Sequence, residues 1–131
     1  MLQKIKKVYV VDDDEAVRKS LARSLIHLGY HVEVYSSGKI FLDNLSEHEY
    51  GCVVLDIAMP GMSGLEVQSE LMKRACPIPI IFTTGHADMA TSVRVIGSGS
   101  IELIEKPYPL EILLERIEKV LKQEELRRTP G

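Results

Sequence analysis

Four consecutive acids, Asp12-Asp13-Asp14-Glu15, follow directly on the apolar run Val8-Tyr9-Val10-Val11. Two unit charges ~4 Å apart repel by about 4 kcal/mol at an effective dielectric near 20, so acids that a fold gathers together call for a cation. A further acid, Asp56, ends the apolar run Cys52-Val53-Val54-Leu55, Thr83 and Thr84 close another, and Glu105-Lys106 a third. Asp12, Asp13 and Asp56 offer hard oxygen donors with no cysteine or evident histidine beside them, a set that suits Mg²⁺ better than zinc. A carboxylate held beside Mg²⁺ and a lysine can attack phosphorus and become an aspartyl phosphate. Asp56 is the expected nucleophile, because it ends a central strand and the loop Met59-Pro60-Gly61 leaves it accessible. Lys106 supplies a second, mobile cation. For Asp14 and Glu15 a simpler role suffices: acids cap a following helix and favour its positive end.

This chemistry requires that residues far apart in sequence meet. Strands are expected over Val8 to Val11, Val32 to Tyr35, Cys52 to Leu55, Ile78 to Phe82 and Ile101 to Ile104, with helix-period segments between them. The first helix carries Val17, Leu21, Leu25 and Leu28 on one stripe, turns Arg18, Lys19 and Arg23 away, and ends at Gly29. The second, about Lys39 to Leu45, is capped by Ser36 or Ser37; the third runs from about Leu65 to Ala75 and is stopped by Pro77. The fourth, about Asp88 to Ile96, closes in Gly97-Ser98-Gly99, and the last buries Leu110, Leu113, Leu114, Ile117, Val120 and Leu121. Five alternations of strand and helix imply a parallel sheet covered on both faces, since parallel neighbours need long right-handed crossovers. Fully apolar strands agree with that burial. The polar strand ends then emerge along one edge, where open α/β sheets bind ligands.

The chain is long enough for one compact domain, at 131 residues. A net charge of −3 gives no basic face for nucleic acid, and no apolar run approaches the ~20 residues of a membrane span. A cytoplasmic domain making no direct nucleic-acid contact is expected, with Cys52 and Cys76 as reduced core thiols. His27, His31 and His48 form no ligand set, Met62 and Tyr108 pack at the rim, and Gln123 to Gly131 looks like a fraying helix end leading into a linker.

The segments Val10-Val11-Asp12-Asp13-Asp14, Leu55-Asp56-Ile57-Ala58-Met59-Pro60-Gly61-Met62-Ser63-Gly64, Ile81-Phe82-Thr83-Thr84-Gly85-His86 and Glu105-Lys106-Pro107-Tyr108 closely resemble the receiver domain of bacterial two-component response regulators. The resemblance spans Val8 to Leu121 and is nearest to receivers of the nitrogen-fixation regulator type, which are joined to helix-turn-helix transcription factors. It implies a flavodoxin-like (βα)5 sandwich of three layers, with a five-stranded parallel sheet in the order 2-1-3-4-5. It places the receiver domain at 1–122, leaving 123–131 as a helix end, linker or terminus. It also implies that a sensor histidine kinase phosphorylates Asp56, that Asp13, Asp56 and the Ala58 carbonyl bind Mg²⁺ with Asp12 acting largely through water, and that Thr84 and Lys106 contact the phosphoryl oxygens. Lys106-Pro107 is expected to be cis. Such a domain is a signalling phosphoacceptor that dephosphorylates itself rather than a conventional enzyme. It controls a C-terminal effector, in some cases by phosphorylation-dependent homodimerisation through the face of the fourth and last helices.

Two positions depart from the family. Leu103 stands where Tyr or Phe is usual, and Ser100 where Ala is common. Thr84 thus lacks its usual aromatic partner, which implies a smaller or different packing change on phosphorylation and partial activation. His86, two residues after Thr84, either tunes hydrolysis or is an exposed loop residue. Two other classes compete. A haloacid dehalogenase-type phosphatase would use Asp12 as nucleophile in Asp12-Asp13-Asp14, but no later acidic pair follows Lys106 and Asp56 is left without a role. A flavin-binding protein of the same fold would need a hydroxyl- and glycine-rich phosphate loop where the acids stand.

Overall fold

The computed structural model describes residues 6–46, 50–85 and 102–128. The expected fourth helix with its Gly97-Ser98-Gly99 closure, Ser100, His48 and His86 lie outside them. Five parallel strands, β1 (Lys7–Val11), β2 (His31–Tyr35), β3 (Cys52–Asp56), β4 (Ile80–Thr84) and β5 (Glu102–Glu105), form one sheet in the order β2-β1-β3-β4-β5. Helices α1 (Glu15–His27), α2 (Gly38–Asn44) and α3 (Gly64–Lys73) and a C-terminal helix (Leu110–Arg128) cover it.

Period-two alternation in the central strands builds two cores at once. Val8, Val10, Cys52, Val54 and Ile81 face α1 and the C-terminal helix, packing on Leu21, Leu25, Leu113 and Ile117. Tyr9, Val11, Val53, Leu55 and Phe82 face α2 and α3, packing on Phe41, Val67 and Leu71. The result is the expected three-layer, doubly covered parallel sheet. No helix among the described residues is long and apolar enough to cross a membrane.

Local details differ from the sequence-based expectation. β4 lies two residues later than Ile78 to Phe82, because Pro77 and Pro79 have no N–H for a ladder, while the β-branched Thr83 and Thr84 bury well within it. β2 is an edge strand and only partly covered, with Val34 44% exposed, so its pattern is mixed rather than fully apolar. Leu28 leaves the expected stripe: Gly29 turns the chain at φ +95° and Tyr30 is buried just beyond it, while Leu28 stays exposed. The C-terminal helix continues to Arg128 and buries Glu124, which pairs with Arg127, in the stretch expected to fray.

α3 ends at Lys73, well before Pro77. Ala75 takes a left-handed φ of 53°, its N–H bonding the Met72 carbonyl at 3.1 Å while the Cys76 N–H reaches the Leu71 carbonyl at 3.0 Å. This is a Schellman closure with alanine in the position glycine prefers. A left-handed L-residue costs roughly 1–2 kcal/mol and glycine's extra chain entropy roughly 0.5–1. Ala75→Gly is therefore expected to stabilise the domain by about 0.5–1 kcal/mol. Urea unfolding checks this, and a lowered midpoint would refute it.

Candidate functional site

The parallel topology delivers the ends of β1, β3, β4 and β5 to one edge. Just past β1, the Asp12 N–H bonds the Tyr35 carbonyl at 3.2 Å, keeping Asp12 in the sheet's register. Asp14 caps α1, its Oδ1 accepting from the N–H groups of Ala16 at 2.9 Å and Val17 at 3.2 Å. Glu15 is exposed and pairs with Lys19. Those two acids thus serve the helix, as expected. Asp56 is the last residue of β3 and is 6% exposed; Asp12 is 3% exposed and Asp13 is open to solvent.

One carboxylate oxygen from each of Asp12, Asp13 and Asp56 lies within 4.8 Å of the other two. Lys106 stands against them, its Nζ 2.9 Å from Asp12 Oδ2 and 3.4 Å from Asp56 Oδ2. The lysine is carried there by the end of β5, where its N–H bonds the Thr84 carbonyl at 2.7 Å and the Lys106-Pro107 bond is cis. Thr84 is fully buried at the end of β4, its Oγ1 donating to the Gly85 carbonyl at 3.4 Å. Ala58 is exposed two residues past Asp56, and its N–H donates to the Asp56 carboxylate. All six residues singled out from the sequence, Asp12, Asp13, Asp56, Ala58, Thr84 and Lys106, therefore belong to this edge.

Burial, and then the charge of Asp12, push the Asp56 carboxyl up to about 6, against the pull of Lys106 and the Ala58 amide. Burial alone would make Lys106 a weaker base, but its hydrogen bond to Asp12 and the charges of Asp56 and Asp12 outweigh it and raise its pKa. Lys106 therefore stays cationic, while the trio retains more negative charge than one lysine can match. A set of carboxylate oxygens at this spacing fits a small, hard divalent cation.

Two residues that matter to the geometry escaped the sequence. Arg18, expected to face away, donates from Nη1 to the Asp12 carbonyl at 2.7 Å. Gly64, the first residue of α3, packs so closely that a Cβ there would lie 2.5 Å from the Asp56 carbonyl oxygen. A signal for the second existed: Ser63 and Glu66 form a capping box, a spacing legible in sequence that sets the helix start and hence the place of Gly64.

The sequence model of the response regulator receiver domain matches residues 8–118. The chain belongs to that family. Among its relatives, the response regulator protein TodT of Pseudomonas putida is 40% identical over 115 residues, covering 88% of this chain and 51% of TodT. The transcriptional regulatory protein FixJ of Bradyrhizobium diazoefficiens is 36% identical over 118 residues, covering 90% of the chain and 58% of FixJ. Among solved structures, the response regulator StyR superposes with a TM-score of 0.85 at 41% identity, over 93% of this chain and 62% of that one. The chain thus spans about half the length of the curated relatives it matches. A receiver domain of the nitrogen-fixation regulator type, with the sheet order seen here, is what the sequence resembled.

Proposed function

We propose that this receiver domain accepts a phosphoryl group on Asp56 from a sensor histidine kinase, with Mg²⁺ held by Asp13, Asp56 and the Ala58 carbonyl and by Asp12 largely through water. The observation that carries this reading is the convergence of three carboxylates within 4.8 Å, with the Lys106 ammonium 3.4 Å from the Asp56 oxygen. An oxygen of ionised Asp56 forms the bond to phosphorus, the phosphorus–nitrogen bond of the phosphohistidine breaks, and the imidazole nitrogen leaves with the electron pair. Mg²⁺ would supply neutralisation of the phosphoryl oxygens as charge spreads over them. Lys106 provides a second positive contact, and Thr84 exchanges its long bond to the Gly85 carbonyl for one to a phosphoryl oxygen. Hydrolysis by water then limits the lifetime of the acyl phosphate.

The phosphoryl group adds about −1.5 to −2 charge and three acceptor oxygens, which is what recruits Thr84 and Lys106. Leu103 pairs in register with Phe82 and is half-buried against the core of α2 and α3, so a smaller rearrangement than an aromatic swing follows. A complete shift from 1:99 to 99:1 would need about 5.5 kcal/mol of differential affinity; partial activation is the expected output. The partner is a C-terminal effector of transcriptional type, the function that FixJ's name states for that protein, with phosphorylation-dependent homodimerisation through the face of the C-terminal helix and a cytoplasmic setting. The alternative with Asp12 as nucleophile is disfavoured, since it leaves Asp56, buried at the end of β3 and facing Lys106, without a role.

Incubation with acetyl phosphate and Mg²⁺ followed by mass spectrometry tests the proposal. One added phosphoryl group, mapped to Asp56, is expected. An adduct on Asp12 would favour the phosphatase reading, and no adduct would overturn phosphoryl acceptance.

A further inference from the structure

Asp12 and Asp56 are held in place by their surroundings: both are buried, both face Lys106, and each accepts a backbone N–H, from Asp14 and Ala58 respectively. Asp13 is different. It is exposed, and its carboxylate makes no hydrogen bond or ion pair among the described residues. Its position beside the other two is therefore set by its backbone. The peptide unit joining Asp12 to Asp13 is clamped from one side by Arg18, whose Nη1 donates to the Asp12 carbonyl at 2.7 Å. This carbonyl lies past the end of β1, so a guanidinium supplies the bond that a neighbouring strand supplies elsewhere. Holding that carbonyl fixes ψ of Asp12 and φ of Asp13 together, and with them the direction of the Asp13 Cα–Cβ bond. Arg18 is itself well founded: it sits in the first turns of α1, its N–H bonded to the Asp14 carbonyl at 3.0 Å, on a helix start capped by the Asp14 side chain. The bond is charge-assisted and short, the class least willing to be exchanged for water.

We propose that Arg18 is a positioning residue for the divalent cation: it locks the Asp12–Asp13 peptide so that Asp13, otherwise untethered, points into the acidic trio. This rests on the reading of that trio as a Mg²⁺ seat. Outer-shell partners that orient a metal ligand commonly contribute 10–100-fold to affinity. Met retains much of the aliphatic stem of arginine and loses the donor; lysine keeps a donor, but as a single point without the planar fork.

Titration of Mg²⁺ alone into the full chain by calorimetry, for wild type, Arg18→Met and Arg18→Lys, measures the effect without any phosphoryl transfer. Arg18→Met is expected to weaken Mg²⁺ binding by about tenfold, with Arg18→Lys between the two. Thermal unfolding in EDTA runs in parallel, and should Arg18→Met fail to fold, Arg18→Lys carries the test. Folded variants that bind Mg²⁺ within about twofold of wild type, whatever their melting temperature, would show a merely structural contact and overturn the inference alone. A wild-type protein that binds no Mg²⁺ would overturn both the inference and the reading of the site.

Discussion

Asp56→Asn is expected to abolish phosphoryl incorporation while making the metal-free protein more stable. The loss follows from chemistry: an amide is not the anionic oxygen nucleophile that attacks phosphorus. The gain follows from the environment of the side chain. Asp56 is buried beside the Asp12 carboxylate, and its carboxyl rises from 3.8 to about 6 on folding. A raised carboxyl pKa means that ionisation costs more in the folded chain than in the unfolded one. The native state therefore holds the proton more tightly between pH 3.8 and about 6, and stability falls as pH rises through that window. Above it the deficit is constant, at most about 3 kcal/mol from a shift of this size. Asparagine removes the charge and keeps the shape, so its advantage should be full above about pH 6 and vanish near pH 3.8. Urea unfolding in EDTA at either end of that range provides the check. A variant less stable than wild type at the alkaline end would mean that Lys106 more than compensates the buried anions.

Gly64→Ala should damage both fold and site, although it lies eight residues from Asp56 in sequence. Gly64 opens α3, and its N–H bonds the Ile57 carbonyl at 2.9 Å, drawing the helix start against the segment that follows β3. An added Cβ would meet the Asp56 carbonyl oxygen at 2.5 Å and the Ile57 Cα at 2.9 Å. Both obstacles are backbone, so no side-chain rotation relieves them. Either α3 moves away or the Asp56–Ile57 backbone does. Overpacking of this kind costs typically 1–3 kcal/mol, and misplacing a reacting group by about 1 Å can slow a reaction a hundredfold. Reduced unfolding free energy together with slower acetyl phosphate labelling at saturating Mg²⁺ is the expected result. A variant with wild-type labelling kinetics would show that the contact has room to relax and that Gly64 does not position Asp56.

How much of this was legible beforehand depends on the range of the forces involved. The strands over Val8 to Val11 and Cys52 to Leu55 could be read because complete burial leaves unbroken apolar runs, and Asp12, Asp13, Asp56 and Lys106 stood out because polar groups terminate such runs. Parallel topology then placed them together with no further information. Arg18 was misread because a long side chain on the polar side of a helical pattern can equally enter solvent or fold back on the preceding loop, and periodicity does not distinguish the two. Leu28 was misassigned because its spacing from Leu25 fits the helical repeat, whereas α1 ends at His27 and Leu28 is the cap residue just before the turn at Gly29. The end of α3 was attributed to Pro77, whereas the positive φ of Ala75 closes it first, a conformation that the alanine side chain does not advertise. Gly64 depends wholly on an approach between elements, so its neighbours could be known only once β3 and α3 were packed.

The seat at the sheet edge has a valence of its own. Three carboxylates and one ammonium sum to −2 when all are ionised, so one dication brings the ensemble to neutrality, whereas a monovalent ion leaves it short and a trivalent ion overshoots. Oxygen donors of this type discriminate little among small, hard dications, whose occupancy is then governed by geometry and availability. A cation held at this edge would be selected by charge number and coordination geometry within the fold and by relative abundance outside it.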